Sequence, residues 1–84
     1  MVVIEWTRRA MKQLRQIAKA EQPVVYSAVD ALRSWPDCRN VKALVGCDEY
    51  RLRVGRYRII FSIHGERPRI VRIEEVKKRD ERTY

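Results

Sequence analysis

Apolar and polar residues alternate with a period of two along the segment EYRLRVGRYRIIFSI, residues 49–63. Such alternation predicts strands with one buried face, here at about 49–54 and 57–64. Gly55 and Arg56 remain as a two-residue loop between the strands. A glycine at the first loop position suits a type II′ turn, so the segment is predicted to be a β-hairpin.

The predicted turn also sets the register of the hairpin. Arg53 then lies opposite Arg58, and Arg51 shares their face of the sheet. Like charges directly opposite each other in a ladder are destabilising, so folding alone disfavours this arrangement. We therefore expect an anionic partner on the arginine face. The opposite face, which is predicted to be core, carries Tyr50, Leu52, Val54, Tyr57 and Ile59.

The rest of the chain shows two helical stripes and two further strands. Residues 2–6 are rich in β-forming side chains. Apolar residues recur at helical spacing at 10–18 and again at 25–32. Residues 69–76, RIVRIEEV, continue the hairpin as a third strand, whereas residues 36–48 are predicted to be a loop.

Two residues mark the starts of the predicted helices. Thr7 is placed to cap the first helix, and Pro23 suits the first turn of the second. We therefore predict an α+β fold: a two-helix antiparallel hairpin packed on one face of a three- to four-stranded, mainly antiparallel twisted sheet. Residues 1–84 are predicted to form a single domain, since a chain of 84 residues has room for one core.

The chain carries a strong excess of positive charge, with a formal net charge of +8 and a pI of about 10.1. This balance predicts a polyanionic partner, which is nucleic acid, an anionic membrane or an acidic protein. The membrane is disfavoured because no apolar run approaches the roughly 20 residues that span a bilayer. The opening MVVIEW is followed by TRR rather than by the apolar stretch of a signal peptide. We therefore expect a cytoplasmic protein that does not bind membranes.

The residue content excludes several kinds of catalytic site. One histidine and two scattered cysteines cannot build an ordinary zinc site, and glycine-rich phosphate loops are missing. No metal or other cofactor is therefore expected, and Cys38 and Cys47 are predicted to be reduced thiols. His64 falls in a predicted turn and is predicted to be solvated, so no Ser-His-Asp set is expected. The basic sheet face remains, and such a face suits RNA phosphates and unstacked bases.

Several segments of the chain resemble the RelE-like toxins of bacterial toxin–antitoxin systems, within the wider RelE/ParE superfamily. They are VKALVG in the loop, the hairpin YRLRVGRYRIIFSI, the strand RIVRIEEV and the basic ending KKRDERTY. With the opening strand and the helical hairpin, the resemblance covers nearly the whole chain. It implies a small toxin that enters the ribosomal A site and cuts mRNA there, with the ribose 2′-hydroxyl as nucleophile. It also implies a cognate acidic antitoxin that holds the toxin inactive.

The resemblance assigns catalytic roles to five residues. Arg51 and Arg53 match two family lysines on the first hairpin strand, and Arg58 matches an arginine on the second. Tyr84 matches a C-terminal tyrosine that stacks on a base or assists proton transfer. Arg79 matches the C-terminal basic residue. Further contacts with RNA are expected from Lys42, Arg56, Lys77 and Lys78.

Two points in this assignment stay open. Lys78 is one position from Arg79 and is an alternative match to the C-terminal basic residue. The second point is the group that takes the proton of the 2′-hydroxyl, because arginine is effectively never deprotonated in proteins. Arg51 and Arg53 therefore cannot accept the proton, as a deprotonated lysine at the same position can. The proton acceptor is then Tyr84, a carboxylate such as Glu49 or Asp48, or absent altogether.

Two other functions are alternatives to the nuclease. The ParE branch of the superfamily poisons DNA gyrase without nuclease chemistry, and its members generally lack the closing basic residues and the terminal tyrosine present here. A plain RNA-binding module would need only the positive charge. The nuclease, with the ribosome and mRNA as partners, accounts for both the arginines and the terminal tyrosine.

Overall fold

A mixed sheet with two helices on one side makes up the fold, and the computed structural model describes residues 2–78 of it. The strands are β1 (Val2–Trp6), β2 (Val41–Ala43), β3 (Glu49–Val54), β4 (Tyr57–His64) and β5 (Arg69–Lys78). The helices are α1 (Arg8–Gln16) and α2 (Gln22–Asp30), and α2 continues into a 3₁₀ turn, Ala31–Ser34. The predicted α+β fold class is confirmed.

The sheet has five strands in the order β1-β5-β4-β3-β2. β1 runs parallel to β5, and the other three pairs are antiparallel. The predicted strand number of three or four is too low, because β2 lies inside the segment predicted to be a loop. β2 has three residues, too few to show an alternating pattern, and it forms through its pairing with Tyr50, Arg51 and Leu52 of β3.

The β3–β4 hairpin has the register that its turn predicts. Arg53 pairs with Arg58, and the neighbouring pairs, Leu52 with Ile59 and Val54 with Tyr57, also agree with the predicted register. Gly55 has a φ of 55°, whereas the φ of Arg56 is not positive. A type II′ turn requires this combination, since only its first central residue takes a positive φ. The crowding of like charge that the sequence predicts is therefore present in the structure.

α1 begins after Thr7, as predicted, and ends at Gln16, two residues before its apolar stripe ends. The Thr7 hydroxyl accepts a hydrogen bond from the Ala10 amide at 3.1 Å and donates one to the Ile73 carbonyl at 2.8 Å. The cap thus also ties the helix to β5. At the other end, the Gln22 side chain donates to the carbonyl of Arg15 in the last turn, at 3.2 Å, and to that of Ile17 just after the helix, at 3.0 Å. These bonds satisfy acceptors that a helix end leaves unpaired.

The core lies between the helices and one face of the sheet. Its largest fully buried side chains are Val25, Val29, Leu32, Ile59, Phe61, Val71 and Ile73. Trp35 packs edge-on against Tyr50 and Phe61, with ring centroids 4.8 and 5.7 Å away. Tyr50 therefore belongs to the core face of the sheet, as predicted.

Tyr57 joins the start of β4 to the helical layer. Its side chain is 6% exposed, and its hydroxyl donates a hydrogen bond to Glu21 Oε2 in the connection between α1 and α2. This bond to a carboxylate, together with burial, raises the pKa of Tyr57 above its ordinary value of 10.0. The bond anchors the arginine hairpin to the helices from the core side.

Three further findings concern residues 2–78. None of their helices is long and apolar enough to cross a membrane. In the same residues, the His, Cys, Asp and Glu side chains form no group of three that could hold a metal ion. Cys38 is half-buried, Cys47 is exposed, and both are free thiols.

Candidate functional site

The face of the sheet that carries no helix, here named the open face, holds a row of three cations. Arg53 of β3 pairs with Arg58 of β4, and Arg58 pairs on its other side with Lys77 of β5. Paired residues of adjacent strands have Cα atoms about 4.5–5.5 Å apart, so three positive side chains lie side by side. We name Arg53, Arg58 and Lys77 the cation row. The β4–β5 pairing brings Lys77 into it, which the sequence pattern does not show.

Arg58 is the central member of the cation row and is half-buried. Its Nε is buried and has no hydrogen-bond partner among residues 2–78. Over the same residues, no carboxylate forms an ion pair with Arg53 or Arg58. A buried donor that stays unpaired costs about 1–3 kcal/mol, and arginine binds phosphate oxygens with particularly strong hydrogen bonds. The cation row therefore has the chemistry of an anion receptor.

A second cross-strand row lies next to the cation row. Lys42 of β2 pairs with Arg51, Arg51 pairs with Ile60, and Ile60 pairs with Glu75 of β5. Lys42 thus joins the open face through β2. Ile60 is 9% exposed and separates the two cations from the carboxylate. The basic surface therefore extends from β2 to β5 and meets an acidic margin at Glu75.

A β-bulge in β5 creates this acidic margin. The β4–β5 ladder shifts by one residue in the middle of β4, which leaves Glu74 as an extra residue beside Glu75. Glu74 accepts a hydrogen bond from Ser62, and Glu75 pairs with Lys77 of the cation row. Both carboxylates therefore lie on the open face, although they are consecutive in a strand. Bulges recur next to active sites because they redirect a side chain in this way.

Ser62, His64 and Glu74 form a hydrogen-bonded cluster on the open face. Ser62 is 8% exposed, its hydroxyl donates to Glu74 Oε2 at 2.6 Å, and its oxygen lies 2.8 Å from His64 Nε2. Because a hydroxyl has one proton, the Nε2–H of His64 is then the donor to Ser62. A nucleophilic serine needs the imidazole between itself and the acid, whereas here the serine is in the middle. His64 ends β4 rather than lying in a turn, and these three residues do not form a catalytic triad.

Glu75 is the carboxylate nearest the cation row along the strands. Its Oε2 lies 3.5 Å from Lys77 Nζ, and its Oε1 lies 3.6 Å from an Arg9 guanidinium nitrogen of α1. The Glu75 side chain is 24% exposed, whereas those of Arg9 and Lys77 are 70% and 53% exposed, so both pairs lie at the surface. Of the two carboxylates named from the sequence, Glu49 is half-buried at the start of β3 and Asp48 is exposed just before it.

Other site residues expected from the sequence lie away from the cation row. Arg56 is exposed at the tip of the hairpin. Lys78 pairs with Tyr57, a core-face residue, so it projects from the opposite side of the sheet to the row. Arg79 and Tyr84 lie outside the described residues, and their roles stay predictions.

An open cleft of about 540 Å³ lies beside the hairpin. It is bounded by the 3₁₀ turn, residues 37–40 and the end of β3. Leu52 and Val54 of the core face line it, and from the cation row only Arg53 does. The cation row is thus part of an exposed surface rather than of this cleft.

Comparisons with known proteins find matches among solved structures only. Neither the protein-family models nor the curated proteins give a match to this sequence. A solved structure of an archaeal RelE–RelB complex from Pyrococcus horikoshii OT3 matches with a TM-score of 0.76 and 27% identity, over 93% of this chain and 94% of that chain. The RelBE2 toxin–antitoxin complex from Mycobacterium tuberculosis matches with a TM-score of 0.79 and 24% identity, over 92% and 96% of the two chains.

The chain has the RelE fold. The isolated E. coli RelE toxin matches as well, with a TM-score of 0.77 and 19% identity, over 95% of this chain and 86% of that chain. The resemblance to RelE-like toxins that the sequence carries is thereby confirmed. On this RelE fold, the cation row occupies the three adjacent strands β3, β4 and β5.

Proposed function

We propose that the chain is the toxin of a toxin–antitoxin system and that it cuts mRNA on the ribosome. The observation that carries the proposal is Arg58, whose buried Nε has no partner among residues 2–78 and which lies between two further cations. Three adjacent cations without a matching set of carboxylates weaken the fold. They become favourable when a phosphate lies on them.

The reaction proposed here is an attack of the ribose 2′-oxygen on the neighbouring phosphorus. The 2′-O–P bond forms, the P–O5′ bond breaks, and the products end in a 2′,3′-cyclic phosphate and a 5′-hydroxyl. Negative charge increases on the phosphate oxygens in the transition state. In this proposal Arg58, Arg53 and Lys77, which lie side by side on three strands, stabilise that charge. Arg79 adds a further cation and Tyr84 a stacking ring or a proton donor in this proposal.

Dependence on the ribosome follows from the shape of the site. The cation row lies on an exposed sheet face, and of its members only Arg53 lines the open cleft beside the hairpin. In-line positioning is a large part of the catalytic effect in such reactions. The ribosomal A site would supply it by fixing the mRNA. The outer side of α1 and the turn after it offer an exposed basic surface to ribosomal RNA, formed by Arg8, Arg9, Lys12, Arg15 and Lys19.

The partner that restrains the toxin is proposed to be a cognate acidic antitoxin. Two of the similar solved structures are complexes of a RelE-type toxin with RelB or with its antitoxin in RelBE2. An acidic segment laid on the cation row would provide the carboxylates that Arg53 and Arg58 lack among residues 2–78, and it would exclude mRNA. We place the protein in the cytoplasm, where ribosomes are.

The experiment that tests the function compares two substrates. Purified protein is incubated with ribosomes programmed with mRNA and, separately, with the same mRNA alone, and the cut ends are mapped. The proposal predicts cuts at the A-site codon with 5′-hydroxyl ends, and much slower cutting of free mRNA. Intact mRNA in both reactions, together with inhibition of gyrase supercoiling by the same protein, would replace the nuclease with the ParE-type activity.

A further inference from the structure

The proposed nuclease needs a group that takes the proton of the 2′-hydroxyl. Arginine cannot do so, and Arg51 and Arg53 occupy the strand positions where the family has lysines. A lysine in the cation row, Lys77, lies opposite Arg58 and forms an ion pair with Glu75. Within the described residues, the carboxylates of the open face are groups that can accept a proton.

Four carboxylates of the described chain lie on the open face, and one of them, Glu5 of β1, is held by Arg72 at 2.8 Å on the far side of β5 from the cation row. Glu49 is on the strand face of Arg53 but four residues from it, about 13 Å along an extended strand. Glu74 is the extra residue of the bulge, and one of its oxygens is held by Ser62 at 2.6 Å. Glu75 is two residues from Lys77 on the same strand, about 7 Å along it. Its carboxylate is 3.5 Å from Lys77 Nζ.

The bulge is what brings Glu75 to this place. Without the extra residue, side chains would alternate strictly between the two faces of β5. Ile73 and Val76 are both buried in the core, so two residues between them have to be accommodated on the open face. Glu75 then pairs with Ile60, directly next to the pair of Arg58 and Lys77.

Glu75 is also held from two sides. Oε2 faces Lys77 of the cation row, and Oε1 faces Arg9 of α1. The two ion pairs, at 3.6 and 3.5 Å, favour a position of the carboxylate beside the cation row, and a catalytic group has to lie close to the substrate atom that it meets. The neighbouring Arg58, by contrast, keeps a buried donor without a partner in residues 2–78. A phosphate on Arg58 would place its adjacent ribose beside the glutamate.

We propose that Glu75 is the general base of the nuclease. This inference rests on the proposed function. The 2′-hydroxyl proton moves to the Glu75 carboxylate as the 2′-oxygen bonds to phosphorus, and the P–O5′ bond breaks. The leaving 5′-oxygen takes a proton from water or from a second acid, and the carboxylic acid later returns its proton to water. No other reactant is needed.

The test compares two neutralising substitutions next to each other in the bulge. Glu75→Gln removes the base, and Glu74→Gln removes the same charge while its amide oxygen still accepts from Ser62. Each variant is checked for folding by circular dichroism and thermal unfolding. Single-turnover cleavage of ribosome-bound mRNA is then measured. We expect Glu75→Gln to cut about 10²–10⁴-fold more slowly, and Glu74→Gln to cut at close to the wild-type rate.

A modified mRNA distinguishes a base from an acid. Replacing the 5′-bridging oxygen at the cleavage site with sulfur gives a leaving group that departs without a proton, because a thiolate is a far weaker base than an alkoxide. Loss of a general base should slow this substrate as well, so Glu75→Gln should stay slow. Glu75→Asp keeps the carboxylate and should recover part of the rate.

Each outcome decides the inference. If wild-type protein cuts and Glu75→Gln cuts equally fast, or if the sulfur substrate restores Glu75→Gln to the wild-type rate, Glu75 is not the base although the function stands. Equal losses in Glu75→Gln and Glu74→Gln would assign an effect of charge rather than of proton transfer, and the inference would again be overturned. Wild-type protein that fails to cut would remove the proposed function and, with it, the role of Glu75. If Glu75→Gln does not fold, Glu75→Asp is the deciding variant. A folded Glu75→Asp that cuts no faster than background would contradict the inference.

Discussion

Arg53 and Arg58 lie directly opposite each other across the β3–β4 ladder, on the face of the sheet that carries no helix. Lys77 continues the row on the next strand. Opposed like charges reduce the stability of a sheet, and no carboxylate of residues 2–78 pairs with either arginine. The opposed arginines therefore lower the free energy of unfolding, and an anionic ligand bound to them raises it again. Substitutions of these arginines should consequently change both stability and activity.

Arg53→Glu should make the protein more stable and inactive. The substitution replaces a pair of like charges with a pair of opposite charges, which contributes about 0.2–1 kcal/mol in a ladder, and it gives Arg58 an internal partner in place of phosphate. Urea unfolding and the ribosomal cleavage assay measure the two effects. Arg56→Glu at the exposed hairpin tip makes the same change of charge and serves as control. Lower stability in Arg53→Glu than in Arg56→Glu would contradict the explanation.

Arg51→Lys should cut mRNA at close to the wild-type rate. Arg51 lies one row away from Arg58 and contributes positive charge to the open face, and lysine preserves that charge. Arg51→Ala should weaken binding to programmed ribosomes, and the loss should shrink as salt is raised. Titration of ribosomes with each variant at two salt concentrations measures this. A large gain of activity in Arg51→Lys would show that a titratable amine at this position serves as base and would weaken the case for Glu75.

Tyr57→Phe should change how stability depends on alkaline pH. The hydrogen bond to Glu21 raises the pKa of Tyr57 above 10.0 in the folded chain. A raised pKa means that the folded state binds the proton more tightly, so the stabilisation is fully present below pH 10 and is lost as the pH rises through the folded-state pKa. Urea unfolding of wild-type protein should therefore show a decline above this pH that Tyr57→Phe lacks.

The control for this prediction is Tyr26→Phe, which alters a tyrosine that is 51% exposed. It should keep the wild-type decline in stability at alkaline pH. Identical pH dependence in wild-type protein and Tyr57→Phe would show that the bond to Glu21 contributes nothing measurable to folding.

Substitutions of Tyr84 should separate its two expected roles. Tyr84→Phe keeps the stacking ring and removes the hydroxyl, whereas Tyr84→Ala removes both. Near wild-type cleavage by Tyr84→Phe beside a collapse in Tyr84→Ala assigns stacking and in-line alignment, and a loss in both assigns proton transfer. If Tyr84→Ala cuts like the wild type, the residue has no part in cleavage.

The hairpin could be predicted from the sequence in detail because its determinants are local. Alternation along both strands, interrupted only at Ile60, and a two-residue loop that starts with Gly55 predict a single register, and the structure has that register. β2 could not be predicted in this way. Its three residues are extended because they pair with residues 50–52 of β3. A segment of three residues is too short to show the alternation that predicts a strand.

The acidic margin of the site was missed for a related reason. In β5 the buried residues Val71, Ile73 and Val76 are spaced by two and then by three. A change of spacing from two to three indicates a β-bulge. It also indicates that Glu74 and Glu75, between the buried residues, both lie on the open face. Their proximity to the cation row, however, depends on the pairing of β5 with β4, which composition and alternation do not specify. Sequence reasoning therefore identified the arginines and left the proton acceptor open between Tyr84, a carboxylate such as Glu49 or Asp48, and no acceptor at all.

Single-turnover cleavage of ribosome-bound mRNA by Arg58→Ala tests the central claim most directly. Removing one preorganised donor to the transition state should lower the cleavage rate by about 10²–10³-fold, while binding to programmed ribosomes changes much less. Arg33→Ala, which removes an exposed arginine of the 3₁₀ turn on the helical side of the sheet, should cut at close to the wild-type rate. Arg58→Ala that binds ribosomes and cuts mRNA as fast as Arg33→Ala would contradict the account.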